Sequence, residues 1–164
     1  MAILTSDQYT HMANTYSQVY IHTVFAVKYR QSLIQSAWKK DLMAVIGNLI
    51  NQSGCQTIIV NGVHDHVHCL FVLKPRYSIS EIMKSVKAKS SKWINEKGLS
   101  SSRFEWQKGF GCFSYGKSQV PSVYQYIQNQ EKHHEKKRFR EEYIELLERF
   151  EIDYSEDFIF NEPV

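Results

Sequence analysis

The stretch QTIIVNGVHDHVHCLFVL, residues 56–73, decides the fold. Gln56–Val63 and His66–Leu73 are both rich in β-branched and other apolar residues, and only two residues part them. Two such runs so close together predict an antiparallel hairpin. Lys74-Pro75 ends the second strand, because proline cannot donate to the ladder. Upstream, Gln18–Lys28 (QVYIHTVFAVK) reads as another strand. It is followed by a helix capped at Ser36, with Trp38, Leu42, Val45, Ile46 and Leu49 at helical spacing. Downstream, Ser80 is placed to cap a second helix. That helix turns Ile82, Met83, Val86, Ser90, Trp93 and Ile94 inward and closes at Gly98. Gly109–Gly116 (GFGCFSYG) predicts a fourth strand and Ser118–His134 a helix. A charged helix then places Phe139, Tyr143, Leu146, Leu147 and Phe150 inward. The order β-α-β-β-α-β plus two helices predicts an α+β, ferredoxin-like split βαβ, an antiparallel sheet with helices on one face and additional C-terminal helices.

The rest of the sequence narrows the class. With 164 residues, against ~150 per domain, the chain reads as one domain at 17–150. An arm (1–16) precedes it and an acidic, aromatic tail (151–164) follows. At 43% hydrophobic it can build a core, which excludes a disordered chain. A net charge of +3 is too small to announce a nucleic-acid partner, so any basic surface must come from clustering. Cys55, Cys69 and Cys112 form no CxxC pair, which argues against disulfide scaffolds and cysteine zinc sites. No signal peptide or membrane-length apolar run is present, so a cytoplasmic protein is expected. Neither a glycine-rich phosphate loop nor a G-x-S-x-G is found, so no nucleotide cofactor is expected.

Two constellations carry chemistry. In Val63-His64-Asp65-His66-Val67-His68, strand alternation puts His66 and His68 on one face, where two imidazoles can converge on one metal ion. His64 would share that face if the strand began earlier, and Asp65 is placed to cap the hairpin or orient a neighbour. The competing reading is three solvent-facing or hydrogen-bonded histidines. In Tyr126-Ile127-Gln128-Asn129-Gln130, Tyr126 and Gln130 stand at i and i+4 on a helix, with His133 or His134 one turn further. A phenol of ordinary pKa ~10 needs a metal or base beside it to act as a nucleophile. The competing reading makes Tyr126 a core residue, with Tyr124 on another helix face. Lys84, Lys87, Lys89 and Lys92, and a second basic group around Lys132–Arg140, are interleaved with aromatics in a pattern suited to single-stranded nucleic acid.

At these motifs the chain resembles the single-tyrosine HUH transposases, the TnpA-like group that moves insertion sequences as single-stranded DNA. The carriers are Asp65-His66-Val67-His68, the Tyr126–Gln130 helix with His133-His134 after it, the Lys28-Tyr29-Arg30 strand exit and the lysine-bearing Ser80–Ser91 helix. The likeness spans Tyr16 to Phe150. It implies His66, His68 and Gln130 as ligands of Mg²⁺ or Mn²⁺; beyond the resemblance, His64 and His133 are candidates for an extra metal or phosphate contact. It implies Tyr126 as nucleophile, forming a 5′-phosphotyrosine with single-stranded DNA at hairpin-bearing element ends. DNA contacts are expected from Lys84, Lys87, Lys89 and Arg30. A homodimer is implied, in which the tyrosine helix can serve the partner's site across a Gly116–Ser118 hinge. His64 departs from a usual non-ligating residue and Cys69 from a usual aliphatic one.

Three other functions stay open on the sequence. One is a domesticated relative acting on repeated palindromic elements, and another is a single-strand-binding module whose site no longer cuts. The third, a zinc hydrolase, requires a carboxylate or third histidine to converge on the pair.

Overall fold

β1 (Val19–Ala26) is buried along its length apart from Val19, an unusual state for a strand of an antiparallel sheet. The computed structural model, which describes residues 15–29 and 32–160, shows why. The strand runs through the middle of a four-stranded sheet that is covered on both faces. β2 (Gln56–Gly62), β3 (His66–Leu73) and β4 (Gly111–Tyr115) complete that sheet in the order β2-β3-β1-β4. Every pairing is antiparallel, with His66 opposite Ala26 and His68 opposite Val24. This is the ferredoxin-like split βαβ arrangement. Most of the N-terminal arm, and Arg30, lie outside the described residues.

Period-two alternation divides the strands between two cores. Ile21 and Phe25 of β1 and Val67, Cys69 and Phe71 of β3 face α1 (Ser36–Gln52) and α2 (Ile79–Glu96). There they pack with Leu42, Ile46, Met83 and Val86. Burial pushes the Cys69 thiol up to about 12, which leaves it inert. Val24 and Ala26 of β1, Phe113 of β4 and Leu70 of β3 face the other way. Against them lie α3 (Val120–Gln128), α4 (Gln130–His134) and α5 (Phe139–Arg149). Helices therefore cover both faces, and the expectation of one covered face holds only for the βαββαβ unit.

Local corrections have local causes. Both long helices begin near the expected serines, but Gln35 and Ser78 occupy the capping positions, neither with a side-chain cap. Gly98 closes α2 at φ +62°, where a side chain would be strained. The helix expected over Ser118–His134 is a 3-10 turn (Lys117–Gln119), then α3 with Pro121 in its first turn, then α4 after a one-residue interruption at Asn129. Side chains take the carbonyls there: Asn61 Nδ2 donates to Ile127 and Gln128, and Gln130 Nε2 to Tyr126. A helix ladder whose acceptors are diverted in this way breaks locally.

The segment after α5 packs back on it. Phe160 stacks on Phe139 and meets Tyr143, Ile159 is buried beside them, and Arg140 pairs with Glu156 at 2.6 Å. Among the described residues no helix is long and apolar enough to cross a membrane.

Candidate active site

Five of the seven histidines gather where β1, β3, α4 and α5 meet. The β3 alternation turns His66 and His68 onto the face covered by α3–α5, and both are fully buried. The tight β2–β3 connection holds them there. Gly62 lies so close that a Cβ would come within 2.3 Å of the His66 carbonyl oxygen, so only glycine fits. Phe139, the first residue of α5, stacks on the His66 ring at 4.0 Å between centroids.

Each buried imidazole has one nitrogen engaged from outside and the other turned inward. His66 Nδ1 donates to Asp65 Oδ1 at 2.6 Å, so Asp65 orients its neighbour. His68 Nδ1 lies 2.8 Å from Nε2 of His22, a fully buried residue of β1 whose ring stacks on His68. His134 Nδ1 donates to the Lys137 carbonyl at 2.7 Å. The Nε2 atoms of all three turn toward Glu142 of α5. Its Oε2 is 2.6 Å from His134 and 3.3 Å from His66, and its Oε1 is 3.5 Å from His68. The candidate donor atoms of His66, His68, His134 and Glu142 all lie within 4.8 Å of one another. Imidazoles fixed by outer hydrogen bonds and aimed at one point are the arrangement that metal-ligating histidines adopt.

The acceptor inventory tests whether a cation fits. Gln130 Oε1 faces His66 Nε2 at 3.3 Å and His134 Nε2 at 3.0 Å. His134 gives its Nδ1 proton to a carbonyl. As a neutral ring it therefore presents a bare Nε2 lone pair to Gln130 and Glu142 oxygens. Lone pairs facing lone pairs in a buried site repel unless a proton or a cation lies among them. Nε2 of His68 and Oε2 of Glu142 are buried without a hydrogen-bond partner. A divalent cation would satisfy these atoms together, so the residues fit a metal.

Protonation follows from the same contacts. Burial opposes charge on His66, but the Asp65 and Glu142 carboxylates outweigh it and lift the ring to about 9. Burial also opposes the Glu142 charge, yet the His66 and His68 imidazoles facing it hold it down at about 2. Desolvation and the His66 charge lower His134 to about 3. Desolvation lowers His22 and His68 as well.

Tyr126 reaches this cluster from the same chain. Its hydroxyl donates to Glu142 Oε1, and its ring stands edge-on to His68 at 5.7 Å and to His133 at 5.4 Å. Gln130, one turn on, is fully buried and donates to Glu142 Oε1 at 3.1 Å. His133 is half-buried beside the tyrosine, its Nε2 3.6 Å from Glu142. The structure thus brings His66, His68, Tyr126, Gln130 and His133 together and leaves His64 outside. The His64 side chain is 62% exposed and sits 3.8 Å from Asp65. It lines a cavity of about 280 Å³ with Lys39, Glu131 and His134. The carboxylate and third histidine that a metal hydrolase would require are present, but as Glu142 and His134.

Glu142 and His22 are the residues that the sequence reading missed; His134 it placed one turn past Gln130 without assigning it a role. A signal existed for Glu142, which falls at i+3 from Phe139 and so on the inward stripe of α5. His22 alternates with Val24 and Ala26 on the site's face. The basic residues are elsewhere. α2 packs on the opposite face of the sheet, with Lys84 and Lys89 exposed. Lys87 is half-buried and donates to the carbonyls of Gln107 at 2.6 Å and Gly109 at 2.7 Å.

Comparison with known proteins bears on this geometry. Residues 15–130 match the family model described as "Transposase IS200 like". The transposase for insertion sequence element IS200 of Salmonella typhimurium is 26% identical over 124 residues, covering 73% of this chain and 81% of the relative. The ISDra2 transposase TnpA of Deinococcus radiodurans is 27% identical over 75 residues, 46% of this chain and 54% of the relative. Among solved structures, a putative transposase from Deinococcus radiodurans superposes with a TM-score of 0.57 at 18% identity, over 73% of this chain and 95% of that one. A REP-associated tyrosine transposase bound to a REP hairpin gives 0.55 at 15% identity, over 76% and 73%. These two likenesses show the fold. With the model matching most of the chain, the protein belongs to the IS200-like transposase family.

Proposed function

We propose that this transposase cleaves and rejoins single-stranded DNA through a covalent 5′-phosphotyrosine on Tyr126, with a divalent cation, Mg²⁺ or Mn²⁺, held at His66 and His68. The observation that carries the proposal is the placement of the Tyr126 hydroxyl on Glu142 Oε1, the same carboxylate that faces both strand histidines. A phenol packed only for bulk would have no reason to meet that cluster.

The chain's own groups divide the work. Asp65 and His22 fix the ring orientations of His66 and His68. When bound, the cation supplies Lewis-acid polarisation of the scissile phosphate. Tyr126 Oη forms the new bond to phosphorus and the 3′-oxygen leaves as a free hydroxyl. Its return, or attack by another 3′-hydroxyl, reverses the step and conserves the phosphodiester energy, so no nucleotide cofactor is needed. Half-buried His133, beside the phenol, is suited to a phosphate oxygen. Because Tyr126 meets the cluster of its own chain, we take cleavage to occur in cis; a dimer that exchanges this helix is the rival arrangement. Exposed Lys84 and Lys89, on the far face of the sheet, are suited to phosphate contacts outside the cleavage centre. Single-stranded hairpin ends are the proposed substrate class, and the structural neighbour bound to a REP hairpin supports it.

The test incubates labelled single-stranded DNA, carrying candidate hairpin ends, with the protein and Mn²⁺ or EDTA. A detergent-resistant adduct that requires metal and is lost in Tyr126→Phe supports the proposal. Tight binding without any adduct favours an inert binding module instead.

A further inference from the structure

We infer that the cleft between α2 and residues 100–106 is a second DNA subsite, which holds backbone phosphates of the single strand flanking the cleaved bond. The inference rests on the single-stranded-DNA reading above. It adds a site on the opposite face of the sheet from the catalytic cluster.

The cleft holds about 900 Å³. That is near the top of the ~300–1,000 Å³ range of ligand sites and far more than one ion needs. Its walls are braced by their own hydrogen bonds. The Asn95 amide and the Phe104 backbone exchange two, at 2.8 and 3.0 Å, and the Lys87 ammonium ties α2 to the Gln107 and Gly109 carbonyls. What stays uncommitted in the lining is Lys92, Arg103 and Ser100. Arg103 is exposed and has no ion-pair partner among the described residues. Lys92 meets only Glu96, at 3.7 Å and with both groups exposed, a contact worth little in water. Glu105, the other acid of the cleft, is neutralised by Lys28 at 3.2 Å. The lining therefore carries positive charge that nothing in the chain offsets. The Ser100 hydroxyl is buried without a hydrogen-bond partner, and a phosphate oxygen beside it supplies the acceptor it lacks.

The same lining selects phosphates over bases. Phe104 and Trp106 line the cleft but are buried, and Trp106 Nε1 donates to Ser90 Oγ at 3.0 Å. No ring face is open for a base to stack on. The position of the cleft ties it to the strand being cut. The Val27 amide donates to the Asp65 carbonyl at 2.8 Å, and the next amide, of Lys28, to the Glu105 carbonyl at 3.0 Å. Asp65 orients His66 and Glu105 lines the cleft, so the two sites flank the same end of β1. A single strand passing over that end meets both.

Fluorescence anisotropy with the full chain in EDTA tests the subsite, since neither metal nor cleavage enters the readout. Two labelled DNAs are compared, a candidate hairpin end alone and the same hairpin with single-stranded flanks. The flanks are about ten nucleotides, within the ~4–16 that a single-strand groove covers. Lys92→Ala/Arg103→Ala should bind the flanked DNA about tenfold more weakly, with a slope of log affinity against log salt shallower by about 1.4, at ~0.7 per phosphate contact. The bare hairpin should bind this variant and wild type within about threefold. Arg103→Lys keeps the charge and should keep the wild-type slope, which separates lost phosphate contacts from a misfolded chain. Equal affinity and slope on the flanked DNA overturn the subsite while leaving cleavage by Tyr126 standing. An equal loss on both DNAs also overturns it, because the contacts would then belong to the hairpin. Calorimetry with inorganic phosphate covers the remaining source. Phosphate binding that the double variant loses, with no change in DNA affinity, overturns the DNA assignment in favour of a free-anion site. The expected loss in a chain that never forms an adduct sinks only the cleavage reading, and a wild-type chain that binds neither DNA overturns both.

Discussion

His22 Nε2 lies 2.8 Å from His68 Nδ1, and the two rings stack at 5.1 Å between centroids. This contact joins the central strand to a candidate metal ligand. It fixes which nitrogen of His68 turns inward, since the nitrogen engaged by His22 is unavailable to a cation. Removing such an outer partner costs about 10–100-fold in metal affinity. His22→Ala should therefore weaken Mn²⁺ binding within that range while the far-ultraviolet spectrum stays native. His22→Gln, which can still reach His68, should recover part of the loss. Unchanged affinity in His22→Ala would show that His68 is oriented by packing alone.

Tyr126→Phe separates chemistry from binding. The variant keeps the ring against His68 and His133 but removes the hydroxyl that donates to Glu142. No covalent DNA adduct should form, and single-strand affinity should stay within a few-fold of wild type. The same change deprives a buried carboxylate of a donor, at about 1–3 kcal/mol. Thermal unfolding without metal should therefore shift downward. Retained cleavage in this variant would remove Tyr126 from the nucleophile's role.

Much of this arrangement was legible because it obeys short periodicities. His66 and His68 share a face through strand alternation, and Tyr126 and Gln130 through the helical turn, so neither pair needed tertiary knowledge. Glu142 did need it. It approaches because Phe139 packs on His66 and Tyr143 on Gly111, contacts 73 and 32 positions apart in sequence. Glu142 sits on the inward stripe of α5, where an apolar pattern reads past a single carboxylate. A buried acid on such a stripe is the cue to use. The break at Asn129 was illegible for a similar reason, since the residue that diverts the carbonyls, Asn61, comes from β2. Lys87 misled in the opposite sense. A lysine-studded helix suggests a phosphate surface, yet this ammonium is spent on two backbone carbonyls.

Lys87 offers a pH test. Burial holds its ammonium down at about 8, below its ordinary value of 10.5. Above pH 8 the folded chain releases this proton while the unfolded chain keeps it. The unfolded state then binds more protons, and stability rises with pH across that window. The neutral amine can still donate to Gln107 and Gly109, so deprotonation does not break the clamp. Wild type should gain melting temperature relative to Lys87→Met between pH 8 and 10, with a constant difference below pH 7.5. Parallel curves throughout would mean that the carbonyls compensate the ammonium fully.

Asn61 links β2 to the tyrosine helix through two hydrogen bonds, to the carbonyls of Ile127 at 2.9 Å and Gln128 at 3.1 Å. Those carbonyls belong to the residues just after Tyr126, so the side chain sets where the phenol stands relative to β3. Asn61→Leu removes both donors at similar size and leaves the two acceptors to water or to a re-formed helical ladder. The stability cost should be modest, about 1–3 kcal/mol, since each net hydrogen bond contributes about 0.5–1.5 kcal/mol. The effect on cleavage should be larger, because a displacement of about 1 Å in a reacting group can cost about a hundredfold in rate. Single-turnover adduct formation should thus slow by one to two orders of magnitude while Mn²⁺ affinity stays near wild type (on the order of one to two decades in rate). A parallel fall in both would mean that Asn61 supports the whole cluster rather than the position of Tyr126.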